Sequence, residues 1–556
     1  MPSEPIEAEF AVHPALTTAQ EEEFRIVERE GLLSDSVTQL NIDAATAPAP
    51  DLAVPTKTRT NDGYHIVAFE PGAGEDPREW SKGKKWYVYL SFTALCLAVA
   101  IGSSIITGDM TGPVHDLHTT QIIVNLTVTC FVIGFGIGPL AFAPLSEVVG
   151  RKPMYIVSML FFFIFTLPGA LAKNAATLVI SRQIAGLAAS APMCNVGGSI
   201  ADVWAIEDRG VPMAVFSVVI FLGPSLGPLV GGFIGETIGW RWIYWVLFIY
   251  VGICLLSTLF MPETLAPALL RRKAKRMRKE TVDQKLRTLA ELEKRSSKEI
   301  LKEALLRPMT MLLTEPIMFF VSFYMSFIYS LLYLLFFAFP IAFEEIRGFD
   351  AGMTGVAFVS VIIGNLFAMA LAVPMQERIF AKATRNGHFP EARLYLMMVG
   401  SILLPCCLFI FAFTGGYAHV HWMGPLVAGA LFGFAMVMIN ISANSYIVDS
   451  YSGYAASAIA AKTLMRSEFG AMVPLYVTPM FHNMGFQFAG LLLALISVVI
   501  MPIPYTFFWY GEKIRMQSKM ASHIEHVPIS DVPISDVQVE KAARDAGDKS
   551  CKKTSA

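Results

Sequence analysis

Twelve apolar stretches, each about twenty residues long, constrain the fold of this chain more than any other feature. A helix of that length crosses the ~30 Å hydrocarbon core of a bilayer. Only 16% of the residues are charged, whereas a soluble globular protein has about 25%. We therefore predict an all-α polytopic membrane protein with twelve transmembrane helices. The stretches lie near 86–108, 122–144, 154–172, 175–198, 214–235, 242–261, 316–340, 354–376, 394–414, 423–446, 456–480 and 485–509.

A basic polar segment divides these stretches into six and six, which is typical of two halves related by an internal repeat. Residues 271–307 contain fourteen Lys and Arg residues, whereas residues 1–80 are acidic and lack a sustained apolar period. The domains that we predict are a disordered acidic N-terminal tail at 1–80, an N-terminal six-helix half at 81–261, a basic central loop at 262–315, a C-terminal six-helix half at 316–510 and a disordered C-terminal tail at 511–556.

The distribution of basic residues predicts the orientation in the membrane. They cluster at 151–152, 271–307, 378–393 and 513–515. The alternate loops carry only Lys173, Arg241 and Arg347. Basic residues mark the cytoplasmic side, so the central loop and both termini are expected there. We expect an integral protein of the plasma membrane, with the vacuolar membrane as the alternative.

The loop after the second stretch places one carboxylate and two cations at fixed spacing in a tight turn. It reads G-P-L-A-F-A-P-L-S-E-V-V-G-R-K-P over residues 138–153, with Glu147, Arg151 and Lys152 as its charged residues. An ordinary basic loop with glycine turns is the alternative interpretation.

The fourth stretch contains Arg182, seven residues from its start. An arginine at membrane depth costs at least ~2.5–3.5 kcal/mol, so it is expected to face the protein interior and to have a partner. The alternative is a side chain that snorkels to the nearer interface.

The fifth stretch contains glycines and prolines at regular spacing, which make a flat helix face on which a neighbouring backbone can lie. A general packing face would explain the glycines alone, but not the G-P-x-x-G-G ending. The residues of this motif are Gly223, Pro224, Gly227, Pro228, Gly231 and Gly232.

Together these runs resemble the signature motifs of the major facilitator superfamily, in the fungal twelve-span drug–proton antiporter family. Its members include polyamine, azole, caffeine and secondary-metabolite exporters, and the resemblance extends over about residues 80–515. It implies two six-helix halves and no catalytic residues. It further implies that Glu147 interacts with the start of helix 11, that Arg151 pairs with Asp202, and that these contacts latch the halves together. Arg182 would take part in proton coupling, and the glycine–proline motif would seal an antiporter against leak.

The resemblance also implies a central path lined mainly by helices 1, 4, 7 and 10. Each polar residue there, taken alone, is explained by a hydrogen bond between helices, whereas the group indicates a substrate path. Stretch 11 adds Arg466 and Glu468, and Glu468 is either a proton site or the partner of a cation on another helix. The path candidates are Asp109, which is also a proton-coupling candidate, Asn195, Tyr324, Tyr329, Tyr333, Asn440 and Asn444.

The function that we expect is export of amphipathic drugs or secondary metabolites from the cytoplasm by proton antiport. The alternatives are a polyamine exporter, a proton-coupled importer of a small organic solute, and a receptor with the same fold. No G-x-x-x-x-G-K-[ST] run occurs, and the histidines lack ligand spacing. We therefore expect no cofactor and no metal, a proton gradient as the energy source, and a monomer whose partners are an organic small molecule, protons and the bilayer, with no nucleic acid.

Overall fold

The computed structural model describes residues 65–521 except 71, 73, 206–207, 209, 282–284, 293–296, 384–389 and 519. Twelve long helices dominate this part of the chain, and we call them spans 1–12. They form the two predicted six-helix halves. The end of the bundle at which spans 1 and 3 begin is called the basic end, because the loop arginines and lysines cluster there. The predicted tails before residue 65 and after residue 521 lie outside the described residues.

The spans of the N-terminal half agree with the apolar stretches to within a few residues at most boundaries. Span 1 ends in a 3-10 turn, Ile105–Gly108, and a short helix, Thr111–Asp116, precedes span 2. Spans 1 to 6 are Lys82–Ser104, Gln121–Val149, Arg151–Ala170, Ala175–Val203, Gly210–Ile238 and Trp240–Phe260.

The C-terminal half repeats this arrangement. Span 7 continues into a π-helical turn, Ile341–Glu345, and span 9 is preceded by a 3-10 turn, Pro390–Leu394. Span 12 consists of two consecutive helices, and another 3-10 turn, Ser452–Tyr454, joins spans 10 and 11. Spans 7 to 12 are Pro316–Pro340, Ala351–Ala383, Tyr395–Gly415, Met423–Ser450, Ala455–Met484 and Phe486–Ile500 with Pro502–Met516.

Among the described residues, eleven helices are long and apolar enough to cross a membrane. Span 11 is the exception: it has 30 residues, but Lys462, Arg466 and Glu468 lie within it. It nevertheless packs along spans 7 and 2. The outer surface of the bundle carries large apolar side chains that a soluble protein would bury, such as Ile253 at 60% and Val499 at 76% exposed.

The predicted central loop is largely helical and holds part of the predicted N-terminal tail. Strand His65–Ile66 pairs in parallel with strand Leu286–Arg287, and a 3-10 turn follows at Pro77–Glu79. The helices of the central segment are Ala266–Thr281, Leu289–Leu292 and Ser297–Thr314.

The assignment of residues 65–80 to a disordered tail is therefore corrected. Its acidic residues compensate the basic central segment: the ammonium of Lys273 lies 2.6 Å from Glu75 and 3.7 Å from Glu70. Val67 packs with Ala274 and Leu286 in a small apolar cluster. The C-terminal boundary at residue 510 is also too early, because span 12 continues to Met516.

We predict that Val67→Asp releases the N-terminal strand from the central segment. Burial of a valine contributes about 1.5–3 kcal/mol, so tryptic cleavage of this region of the purified protein is expected to be about tenfold faster. Ala68→Asp is the matched control, since Ala68 is adjacent and exposed. Equal cleavage rates for the two variants would contradict this role of Val67.

Candidate functional site

Arg151 organises the basic end of the N-terminal half. Its Nε lies 3.5 Å from Oδ2 of Asp202, at the end of span 4. Its Nη1 donates to Oγ of Ser146 at 2.6 Å and to Oδ1 of Asn195 at 3.3 Å. The guanidinium thereby joins spans 2, 3 and 4. All of these partners belong to the N-terminal half. The network therefore does not form the expected latch between the two halves.

Glu263, after span 6, completes this network, and the sequence analysis missed it. Its carboxylate accepts from the backbone N–H groups of Arg151 at 3.0 Å and Lys152 at 3.3 Å. A carboxylate is stabilised at a helix N-terminus, where these N–H groups have no helical partner. Gly150 precedes them with φ of 114°, and a Cβ there would lie 2.6 Å from Oε2 of Glu263.

Two of the predicted site residues, Glu147 and Asn195, do not lie where the sequence analysis expected them. Glu147 is exposed, and its carboxylate forms no hydrogen bond or ion pair with the described residues, whereas its backbone carbonyl accepts from Nη2 of Arg271 at 3.3 Å. Its implied contact with the start of span 11 is absent from this part of the chain. Asn195, expected on the substrate path, is buried in the Arg151 network, where its Oδ1 also accepts from Oγ of Ser146 at 2.9 Å.

The C-terminal half has a counterpart that the sequence analysis also missed. Arg393, just before span 9, lies 2.9 Å from Asp449 at the end of span 10 and 3.0 Å from Glu377 at the end of span 8. Arg515 pairs with the buried Glu391 at 3.0 Å. An alignment of the two halves of the sequence could have revealed the Arg393–Asp449 pair. This pair at spans 9 and 10 corresponds to the Arg151–Asp202 pair at spans 3 and 4.

The glycines of span 5 bring its backbone against span 1. Gly223, Gly227 and Gly231 are four residues apart and therefore share one helix face. A Cβ on Gly227 would lie 2.0 Å from Oγ of Ser104, and one on Gly231 would lie 2.1 Å from the carbonyl oxygen of Ile105. Neither distance is possible for a real side chain, so this contact requires glycine.

An adjacent face of span 5, about 100° round the helix, contacts span 8 of the other half. A Cβ on Gly232 would lie 2.6 Å from the carbonyl oxygen of Ala351. Beyond the motif, the carboxylate of Glu236 accepts from the backbone N–H of Gly352 at 2.8 Å. The predicted glycine–proline motif thus lies where one helix connects both halves, and Pro224 also faces the central cavity.

A cavity of about 30 Å³ lies between the halves. That volume holds about two water molecules, so an organic substrate would require the cavity to widen. Tyr329 and Tyr333 line it with their hydroxyl oxygens 3.5 Å apart, and the guanidinium of Arg466 lies 4.4 Å from the ring centre of Tyr329. The other lining residues are Val99, Ala100, Ser103, Phe135, Met193, Ile220, Phe221, Pro224, Leu332, Met436 and Asn440.

The remaining path candidates do not line this cavity. Tyr324 is fully buried within the helix packing. Asn444 accepts a hydrogen bond from the ammonium of Lys462 one turn nearer the basic end. Asp109 lies at the opposite end of span 1, where its Oδ1 accepts from the N–H of Gly112 at 2.8 Å. It therefore stabilises the start of a short helix, which corrects its assignment to the path.

Arg182 is buried, with 2% of its surface exposed. Its Nη2 donates to the carbonyl of Gly102 in span 1 at 2.7 Å, and its guanidinium lies 4.0 Å from the ring centre of Phe131 in span 2. The side chain connects spans 1, 2 and 4 and does not snorkel. Its partners are a carbonyl and a ring rather than the carboxylate that a simple ion pair would supply.

Glu468 and Arg466 face different surroundings on span 11. Arg466 lines the cavity, whereas Glu468 lies against span 2: a Cβ on Gly136 would be 3.0 Å from its Oε1. That oxygen is buried without a hydrogen-bond partner in the described part of the protein. The sequence left two interpretations of Glu468 open, a proton site or the partner of a cation on another helix. Among the described residues, Glu468 has no such cation as a partner.

We predict that Gly231→Ala destabilises the protein by about 1–3 kcal/mol, because the new methyl group overlaps the backbone of span 1. The purified variant should have a lower Tm in detergent. Gly83→Ala is the matched control, since no atom lies near a Cβ there, and it should not lower the Tm. An unchanged Tm for Gly231→Ala would exclude the close contact.

Comparisons with known proteins agree with this architecture. A profile described as Major Facilitator Superfamily matches residues 90–474. The transporter paaT of Penicillium rubens is 42% identical over 467 residues, covering 84% of this chain and 85% of that protein. Efflux pump FUB11 of Gibberella moniliformis is 35% identical over 473 residues, covering 84% and 79%.

A solved structure shares the fold at low sequence identity. The proton:xylose symporter XylE matches with a TM-score of 0.56 at 17% identity, covering 77% of this chain and 97% of that one. The family profile and the relatives cover most of the two helical halves. The chain therefore belongs to the major facilitator superfamily, in the branch of the fungal drug-efflux transporters, and is an integral membrane transporter rather than an enzyme.

Proposed function

We propose that this protein exports amphipathic organic molecules, such as drugs or secondary metabolites, from the cytoplasm in exchange for protons. The observation that carries the proposal is the position of the glycine–proline motif. Its glycines bring the backbone of span 5 into close contact with spans 1 and 8, beside the central cavity. A helix packed this closely against two neighbours leaves little room for protons or water to pass. This holds while the cavity switches from opening on one side of the membrane to opening on the other. The name of FUB11 as an efflux pump supports the same direction.

The proposed orientation places the basic end in the cytoplasm, with the protein acting as a monomer in the plasma or vacuolar membrane. The networks around Arg151 and Arg393 then hold the cytoplasmic ends of the helices together within each half. Each half can move as a unit, and the cavity between them opens first to one side and then to the other. The contacts that must change are those of span 5 with span 8 and of span 2 with span 11.

Glu468 is the residue to which we assign proton binding. It lies between span 11 and span 2, so its charge acts directly at the interface of the two halves. No described cation neutralises it, and a lone carboxylate at membrane depth favours protonation. Loss of the proton would disfavour the closed packing around Gly136 and so link proton release to reopening of the cavity.

Arg182 supports this cycle by position rather than by titration. A guanidinium remains charged at any accessible pH, so it cannot carry the proton. Through Gly102 it fixes the part of span 1 that continues to the contact with span 5. It thereby connects the polar interior of the N-terminal half with the sealed helix pair.

Efflux from cells or proteoliposomes with and without an imposed pH gradient tests the proposed function. Wild-type efflux should follow the gradient, whereas Glu468→Gln should move substrate only downhill and without dependence on pH. Glu280→Gln, at an exposed position of the central segment, serves as the control with wild-type coupling. Efflux that ignores the gradient in the wild type would contradict antiport, and net accumulation driven by the gradient would identify an importer.

Arg182→Lys should fold and reach the membrane but lose most proton-driven efflux, by about tenfold or more. Lysine keeps the charge but lacks the planar group that both stacks on Phe131 and donates to Gly102. Initial efflux rates normalised to surface protein measure the effect. Arg378→Lys, at an exposed position of span 8, should be unaffected. Normal transport by Arg182→Ala at every external pH would contradict the role of Arg182 in proton coupling.

A further inference from the structure

The charges in the middle of the bundle are mostly positive. In the described spans, four charged side chains lie at least seven residues from both ends of their helix. They are Arg182, Lys462, Arg466 and Glu468, three cations and one acid. None of the four forms an ion pair with a described residue. By contrast, Arg151, Arg393 and Arg515 at the basic end all pair with carboxylates.

Two of these cations form a column on span 11 that faces span 10. Lys462 and Arg466 are four residues apart and share a helix face. Asn444 and Asn440 are four residues apart on span 10, and Lys462 donates to Asn444. Arg466 and Asn440 both line the cavity one turn deeper. The column therefore extends from near the basic end to the central cavity.

The cavity itself offers hydrogen-bond donors without a negative charge. Nε of Arg466 is buried and has no acceptor among the described residues. The hydroxyl groups of Tyr329 and Tyr333 are beside it. Asn440 contributes an acceptor, its unpaired Oδ1, and the described lining contains no carboxylate.

An unpaired cation at this depth is costly, and ionisable residues inside membrane spans typically mark substrate or ion pathways. The remaining walls are apolar and aromatic, including Phe135, Phe221 and Met436. Pockets of this composition bind the apolar body of a ligand, and a few polar groups orient it. A guanidinium matches a carboxylate in particular, because its planar fork donates two parallel hydrogen bonds.

We propose that the central cavity binds an amphipathic organic anion, with its carboxylate on Arg466 and its apolar body against the aromatic wall. This inference rests on the proposed transport function and narrows its substrate class. A polyamine would bring further positive charge beside Arg466 and Lys462, so the same geometry disfavours it.

Matched ligands test the charge preference directly. Binding of 2-naphthoate and decanoate, of their carboxamides and of the corresponding primary amines is measured by calorimetry on the purified full chain in detergent at pH 7.5. At least one acid should bind about tenfold or more tightly than its amide, as expected for hydrogen bonds to a charged group. The proposal is overturned if neither acid binds, or if an amide or amine binds as tightly as its acid.

Substitutions of Arg466 test whether its guanidinium causes the preference for acids over amides. Arg466→Met should remove the advantage of acid over amide, and Arg466→Lys should keep part of it, because lysine retains the charge without the fork. Arg276→Gln, in the exposed part of the central segment, is the control with wild-type binding. If Arg466→Met does not fold, Arg466→Lys carries the test: acid affinity equal to that of the wild type would overturn the assignment to the guanidinium.

These measurements use no pH gradient, so they separate the two proposals. Acid-selective binding together with efflux that ignores the gradient would refute proton antiport and leave the anion site standing. Gradient-driven efflux of amines or neutral compounds, without acid-selective binding, would refute the anion site and leave antiport standing.

Discussion

The close contact between the backbones of spans 1 and 5 is the constraint on which the remaining arrangement depends. It exists because Gly227 and Gly231 have no Cβ, and it brings span 5 near enough to span 8 for Glu236 to reach the other half. In a bilayer there is little hydrophobic drive between apolar helices, so such steric fit is a main source of association. The central cavity lies beside this helix pair, and Ala100, Ser103 and Pro224 of the pair line part of it.

Charge is arranged differently at the end and in the middle of the bundle. At the basic end, arginines bind carboxylates and join helix ends within each half, as Arg151 does through Asp202 and Glu263. In the middle, Arg182 and Arg466 contact carbonyls and rings instead. Paired charges suit a role in holding helices together. Unpaired charges in a low-dielectric interior remain available to ligands and protons.

The sequence predicted the helical architecture well because apolar length is a local property. Span 11 is the least apolar case: its charged residues lower its hydropathy, and its packing along spans 2 and 7 supports the stretch predicted at 456–480. Tertiary contacts were harder to predict. Asn195 and Asp109 have the polarity of path residues, but one joins the Arg151 network and the other stabilises a helix start. Glu263 and the strand at residue 65 depend on partners far away in sequence, which no local pattern reveals.

The pairing of the short strands shortens the connection between the two halves. The central segment from Phe260 to Pro316 is long enough to permit wide separation, but its strand Leu286–Arg287 is attached to the segment that leads into span 1. The helix Ser297–Thr314 in turn packs against spans 2 and 11. A segment outside the bundle thus contacts the lead into span 1 and both halves, so any change in the angle between the halves also has to be accommodated by that segment.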